Sequence, residues 1–218
     1  MELRTDALTE RYFAAAGERD AAEEAARGEV TTWRTFTGRG NPLDPAPLAA
    51  LAAGIKPARP WRDADPSPTL EVGLAADGRA RICLRHGVGR PWCTVWLREP
   101  GGLLAIGWQD ELHGAPTHVA WLATDDTDRV LTAERLGSTE TWPSARPTAS
   151  ERAQILSEPF VVHAHDRYEW EAGRVVRIRT RSLRPRFDLV TEFEYGARGA
   201  ATPYRVLRGQ RTKLRVAG

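Results

Sequence analysis

Residues 160–195 read FVVHAHDRYEWEAGRVVRIRTRSLRPRFDLVTEFEY, and their two-residue rhythm decides the fold. From Phe160 to Trp170 the even positions are Phe160, Val162, Ala164, Asp166, Tyr168 and Trp170, whereas the odd positions include His163, His165, Arg167 and Glu169. Successive side chains of a strand point to opposite faces, so one face is mostly apolar and the other polar. Ala172-Gly173 turns the chain; Val176 and Ile178 are then expected to continue the apolar face, and Arg177, Arg179 and Arg181 the polar one. Phe187, Leu189, Phe193 and Tyr195 alternate with Asp188, Glu192 and Glu194. Three neighbouring strands thus set acids against arginines on one face, a ladder of ion pairs that fixes register and protects an edge.

The same rhythm runs upstream. Leu70, Val72 and Leu74 alternate, Ala76-Asp77-Gly78 turns, and Ile82 and Leu84 alternate again. Trp92–Glu99 and Leu103–Trp108 flank Pro100-Gly101-Gly102, and Thr117–Thr124 and Arg129–Leu136 flank Asp125-Asp126-Thr127-Asp128. These are hairpin signals. No long helical crossover separates the strands, which argues against a parallel sheet. The expected fold is mainly β within the α+β class: an antiparallel meander of at least eight strands forming a curved sheet or open barrel. Two or three N-terminal helices would pack on it.

The front of the chain supplies those helices. Residues 5–27 are rich in Ala and Glu, with Leu8, Tyr12 and Ala16 as a buried stripe flanked by Phe13; Gly17 divides the run and Gly28 stops it. Glu29–Thr37 reads as a short strand. Asp44-Pro45 announces a second helix running to Gly54, and Ser150 is the expected cap of a short helix to Ser157. The domain organisation follows as a helical segment over 1–56, a proline-rich loop over 57–68 and an antiparallel β domain over 69–218. The stretch from Tyr168 through Glu171-Ala172-Gly173-Arg174 to Ile178 resembles one unit of a tyrosine–aspartate repeat over about a dozen residues; any β-meander with Gly-Arg turns gives this pattern, and no function is carried over from it.

The chain has 218 residues, 41% of them apolar, with eight Trp, so it is neither disordered nor fibrous. No apolar run approaches the ~18 residues that span a bilayer, and no basic-then-apolar leader opens the sequence. A cytoplasmic protein without membrane contact is the expectation. The 31 Lys+Arg nearly balance 29 Asp+Glu, but Arg167–Gly218 holds 13 basic and 5 acidic residues. Cys83 and Cys93 lack metal or redox spacing and read as buried, reduced thiols; a turn over 86–90 would make them cross-strand neighbours, with a redox pair as the alternative.

Three constellations carry chemistry. His163-Ala164-His165-Asp166 places two imidazoles on one strand face about 6–7 Å apart. That spacing suits two ligands of Zn²⁺ or Fe²⁺, with Glu169, His86, His113 or His118 as a third, and the string resembles part of the metallo-β-lactamase motif, whose remainder is missing. The reading preferred over a metal is surface histidines, with His163, His165, Asp166 and Glu169 as the candidate acid–base set. Trp92, Trp96, Trp108 and Trp121 fall on three consecutive strands and could line one cavity, with Asp110, Glu111, His113 and His118 at its mouth; the competing reading is core packing. Arg205, Arg208 and Arg211, within a C-terminal tail without acids, could grip an anion. Tyr204 is the only aromatic there, so nucleic acid is the least supported partner.

Phosphate-loop, dinucleotide and G-x-S-x-G patterns are absent, and no cofactor is called for. The expected function is a β-rich binding protein that holds a small apolar or aromatic ligand, or a protein partner, in a Trp-lined concavity, in the manner of an inhibitor or immunity protein. The alternative is a small isomerase, cyclase or hydrolase using His and Asp/Glu in the same cavity. Oligomeric state is left open.

Overall fold

The computed structural model describes residues 5–37, 59–60, 70–86, 92–109, 115–127, 129–138, 147–184, 186–197, 201–207 and 209–213. Helices α1 (Thr5–Ala14) and α2 (Arg19–Gly28) open the chain. Gly17, at φ 77, separates them, because the left-handed backbone that breaks the helix is open to glycine without steric penalty. Helix α3 (Ala149–Ser157) lies between the eighth and ninth strands. Its cap is Thr148, two residues ahead of the expected Ser150. The Thr148 hydroxyl accepts from the Glu151 amide at 3.3 Å while the Glu151 carboxylate accepts from the Thr148 amide at 2.6 Å, so the reciprocal box outcompetes a lone serine. The expected helix from Asp44 to Gly54 lies outside the described residues.

The strands are β1 (Thr32–Thr37), β2 (Arg59–Pro60), β3 (Leu70–Leu74), β4 (Ala80–Arg85), β5 (Trp92–Glu99), β6 (Gly102–Trp108), β7 (Pro116–Thr124), β8 (Val130–Ser138), β9 (Val161–Glu171), β10 (Arg174–Arg184), β11 (Arg186–Tyr195), β12 (Ala201–Leu207) and β13 (Gln210–Lys213). Among the described residues they form one antiparallel sheet in the order β13-β12-β11-β10-β9-β8-β7-β6-β5-β4-β3-β1-β2. From β3 to β13 each strand pairs with the next in sequence, a meander whose two ends do not meet. This is the expected mainly β fold, open rather than closed, with α1 and α2 on it. The short β2 falls inside the proline-rich stretch expected as loop and pairs with Phe36–Thr37.

Two apolar clusters form, one on each side of the sheet. The first joins Leu8, Tyr12 and Phe13 of α1, Ala26 of α2 and Ile155 of α3 to Ile82, Val95, Ile106, Trp108, Val119, Trp121 and Val161 of the strands. The second contains strand residues alone: Val72, Cys83, Trp96, Ala105, Ala120, Leu122, Val130, Ala133, Tyr168 and Val175. A cluster that pools side chains from β3 to β10 without a helix is what a sheet curled about that side produces. We call the two sides the helix face and the inner face.

One register shift corrects the reading of β10. Val175 pairs with Trp170 and Arg177 with Glu169, leaving Val176 as the extra residue of a bulge. Val175, rather than Val176, is therefore the residue fully buried beside Ile178 on the inner face.

Candidate functional site

Residues directly opposite in an antiparallel pair share a face, so the registers trace a row across the inner face. Trp96 lies opposite Ala105, Ala105 opposite Ala120, Ala120 opposite Arg135, Arg135 opposite Ala164 and Ala164 opposite Ser182. One row above, His118 lies between Gly107 and Gly137. One row below, Asp166 lies between Ala133 and Thr180. Small residues thus make a floor around Arg135, with His118 and Asp166 on the strands to either side.

The two glycines create the slot for His118. A Cβ on Gly107 would run into the His118 ring, and one on Gly137 would stand 2.8 Å from the Thr117 carbonyl oxygen and 3.1 Å from His118 Cβ. The His118 Nδ1 lies 3.1 Å from the Thr117 hydroxyl, and one of the two donates to the other. Burial, and secondarily the Arg135 charge, push the imidazole pKa down to about 4, so it is neutral at pH 7.

Arg135 Nε and Asp166 Oδ2 are 3.5 Å apart, an ion pair without a hydrogen bond through Nε. Among the described residues, Trp96 Nε1, His118 Nε2, Arg135 Nε and Asp166 Oδ1 are all buried without a hydrogen-bond partner. Each such atom costs about 1–3 kcal/mol relative to a satisfied one. These four share the inner face, and His165 Nε2 is in the same condition on the helix face; unmet polar capacity of this kind is found where a ligand or water completes the bonding.

The sequence-selected residues divide between the faces. Trp96 and His118 belong to the inner face, and Asp166, grouped with the histidines in the acid–base set but alternating with them along the strand, joins them there. Trp92 has the same parity but lies half-buried at the margin, with the Arg85 guanidinium 5.3 Å from its ring centroid. Trp108 and Trp121 point to the helix face, where Trp108 Nε1 donates to the Ala15 carbonyl at 3.1 Å. The four indoles therefore do not line one concavity. Asp110, Glu111, His113 and Arg208 lie outside the described residues.

His163, His165 and Glu169 are on the helix face. There His163 Nε2 is 3.0 Å from Glu134 Oε1, and Glu134 itself is opposite His165 and Trp121. Among the described residues no three His, Cys, Asp or Glu side chains converge as metal ligands.

Glu169 belongs to the ladder. It accepts from Arg177 at 2.9 Å and Arg179 at 2.8 Å; Arg177 continues to Glu192 at 2.9 Å, and Arg211 bonds Glu192 at 3.0 Å and Glu194 at 2.6 Å. The Arg179 and Arg177 guanidiniums hold the Glu169 carboxyl below its ordinary range. Arg205, opposite Thr191 and Thr212, has the other parity from Arg211, opposite Val206, so these two do not form one anion grip.

The cysteines also part company: Cys83 is opposite Thr94 and Cys93 opposite Leu84, on opposite faces, and both are free. Burial pushes the Cys83 thiol up to about 12. Both are buried free thiols, as expected, and the one-residue offset turns them to opposite faces of the sheet, which does not suit a disulfide between them.

Arg135, Gly107, Gly137 and Glu134 were not anticipated. The signal was present in Glu134-Arg135: adjacent charges within a central strand must face opposite sides, and both sides of a central strand are covered. Comparisons of the chain with protein-family models, with curated proteins and with solved structures found no match.

Proposed function

We propose that the chain is a binding protein that holds a small aromatic molecule against the inner face of its curled sheet. The observation that carries this reading is the set of four buried polar atoms without partners around a floor of Ala and Gly, next to the Trp96 and Tyr168 rings. Aromatic walls with a few convergent polar groups are the usual make-up of a small-molecule site. A small molecule is favoured over a protein partner because the groups on offer are buried, where a second protein's surface could not touch them.

The test is ¹H–¹⁵N spectroscopy of the full chain with mixtures of small aromatic compounds. The Trp96 indole N–H signal, assigned through Trp96→Phe, is expected to move on binding while that of Trp108 stays in place. Movement of Trp108 or of exposed Trp33 alone would place the site elsewhere and end this reading.

A second reading rests on the Glu134–His163 pair. A buried carboxylate that bonds an imidazole orients it for acid–base work, as in a small hydrolase. It would operate on the helix face, apart from the inner site. Hydrolysis of p-nitrophenyl acetate that follows an imidazole titration and is lost in His163→Gln supports it; equal rates in both proteins remove it.

A further inference from the structure

We infer that the ligand of the inner face carries a neutral amide-like edge, a carbonyl acceptor beside an N–H donor, rather than a carboxylate or a bare hydrocarbon ring. This rests on the binding reading above and names its substrate class.

The inventory of unmet groups is mixed. Arg135 Nε and Trp96 Nε1 can only donate, ionised Asp166 Oδ1 can only accept, and His118 Nε2 takes either role according to its tautomer. A carboxylate satisfies the donors and leaves Asp166 facing a second anion. A bare ring satisfies none. An amide edge meets both kinds at once.

The placement agrees. Arg135 and Asp166 stand on adjacent strands one pleat apart, and their 3.5 Å contact leaves Nε and Oδ1 each with capacity to spare. A cis amide inserted along that pair accepts from Nε through its oxygen and donates to Oδ1 through its nitrogen, which restores two aligned, charge-assisted bonds. Ala105 and Ala120 separate Trp96 from Arg135 in the same row, about 14 Å over three strand spacings. Along that row the backbone carries only methyl side chains between the indole and the guanidinium.

Charge points the same way. The Arg135 and Asp166 charges cancel, and His118 is neutral, so a charged ligand would bring an uncompensated charge into a buried site.

The experiment ranks three probes of similar size on the unaltered chain: quinolin-2(1H)-one, quinoline-2-carboxylate and naphthalene. The Trp96 indole signal is the readout. The lactam is expected to bind more tightly than the other two by roughly tenfold or more, the worth of one or two aligned bonds to charged groups. Asp166→Asn is expected to weaken the lactam by about as much and leave naphthalene unchanged. Tightest binding by the carboxylate, or equal binding of lactam and naphthalene, overturns the amide edge and leaves the binding reading in place. Failure of all three to move the Trp96 signal defeats both. If Asp166→Asn does not fold, the ranking on the natural chain decides alone.

Discussion

Strands β7 and β11 belong to one sheet, yet they live in different solvents. The first seven residues of β7, Pro116–Leu122, are all buried, whereas no residue of β11 is. Helix α1 covers β7 on one side and the curl of the sheet covers it on the other. Along β11 the helix face carries Asp188, Glu192 and Glu194 instead of a helix contact. The lesson is that the meander is one structure with two energetic regimes. Around β7 stability comes from burial and misplaced polarity is expensive. Around β11 it comes from pairing, and charges are inexpensive because water screens them.

The strongest way to break this contrast is at Trp108. Its ring is fully buried and its Nε1 ties β6 to the Ala15 carbonyl, just past the end of α1. Trp108→Ala removes the ring, opens a cavity and frees the helix, and is expected to lower unfolding free energy by about 3–5 kcal/mol. Urea denaturation with the slope held constant measures it. A loss comparable to that of an exposed residue would mean that α1 is not docked through Trp108.

The next test sharpens the comparison by pH. The buried His118 imidazole titrates at about 4 instead of its ordinary 6.5. Above pH 6.5 the ring is neutral in both folded and unfolded chains and makes stability independent of pH. Between 6.5 and 4 the unfolded chain takes up a proton that the folded chain refuses, so stability falls with falling pH. The total from this group is about 3 kcal/mol, complete near pH 4. Urea midpoints at pH 7, 5.5 and 4 for the natural chain and His118→Gln isolate it, because other titrating groups are common to both. Parallel curves would show that His118 is protonated without penalty in the fold.

Much of the contrast could be read in advance. The apolar run of β7 announces a strand covered on both sides, and the alternation of Phe187, Asp188, Leu189 and Glu192 announces one covered on at most one side. The ladder was legible for the same reason. The division of the tryptophans was legible in part: a two-residue turn at Pro100-Gly101 pairs Glu99 with Gly102, which sets Trp108 opposite Cys93, out of phase with Trp92 and Trp96. The side taken by Trp121 depended on the register across residues 109–115, which no short turn fixes. The inner site was hidden because it is assembled from single residues of β5 to β10, and its floor is Gly107, Gly137 and alanines, residues that announce themselves by lacking a side chain. The Val176 bulge has no sequence signature, since Val175 and Val176 are identical.

The smallest effect tests the outer regime. Glu169 sits at the centre of the ladder between Arg177 and Arg179 and is about one-third exposed. If pairing rather than burial governs this half, Glu169→Gln removes charge while leaving the strand intact. The loss should be under about 1 kcal/mol, because exposed pairs spend most of their Coulomb energy on ordering long side chains. It should also shrink as salt is raised from 50 mM to about 1 M, where the screening length falls to ~3 Å, whereas the Trp108→Ala loss should hardly change. Thermal unfolding of the three proteins at both salt concentrations measures the difference. A Glu169→Gln loss that is large and indifferent to salt would place Glu169 under cover and dissolve the division between the two halves.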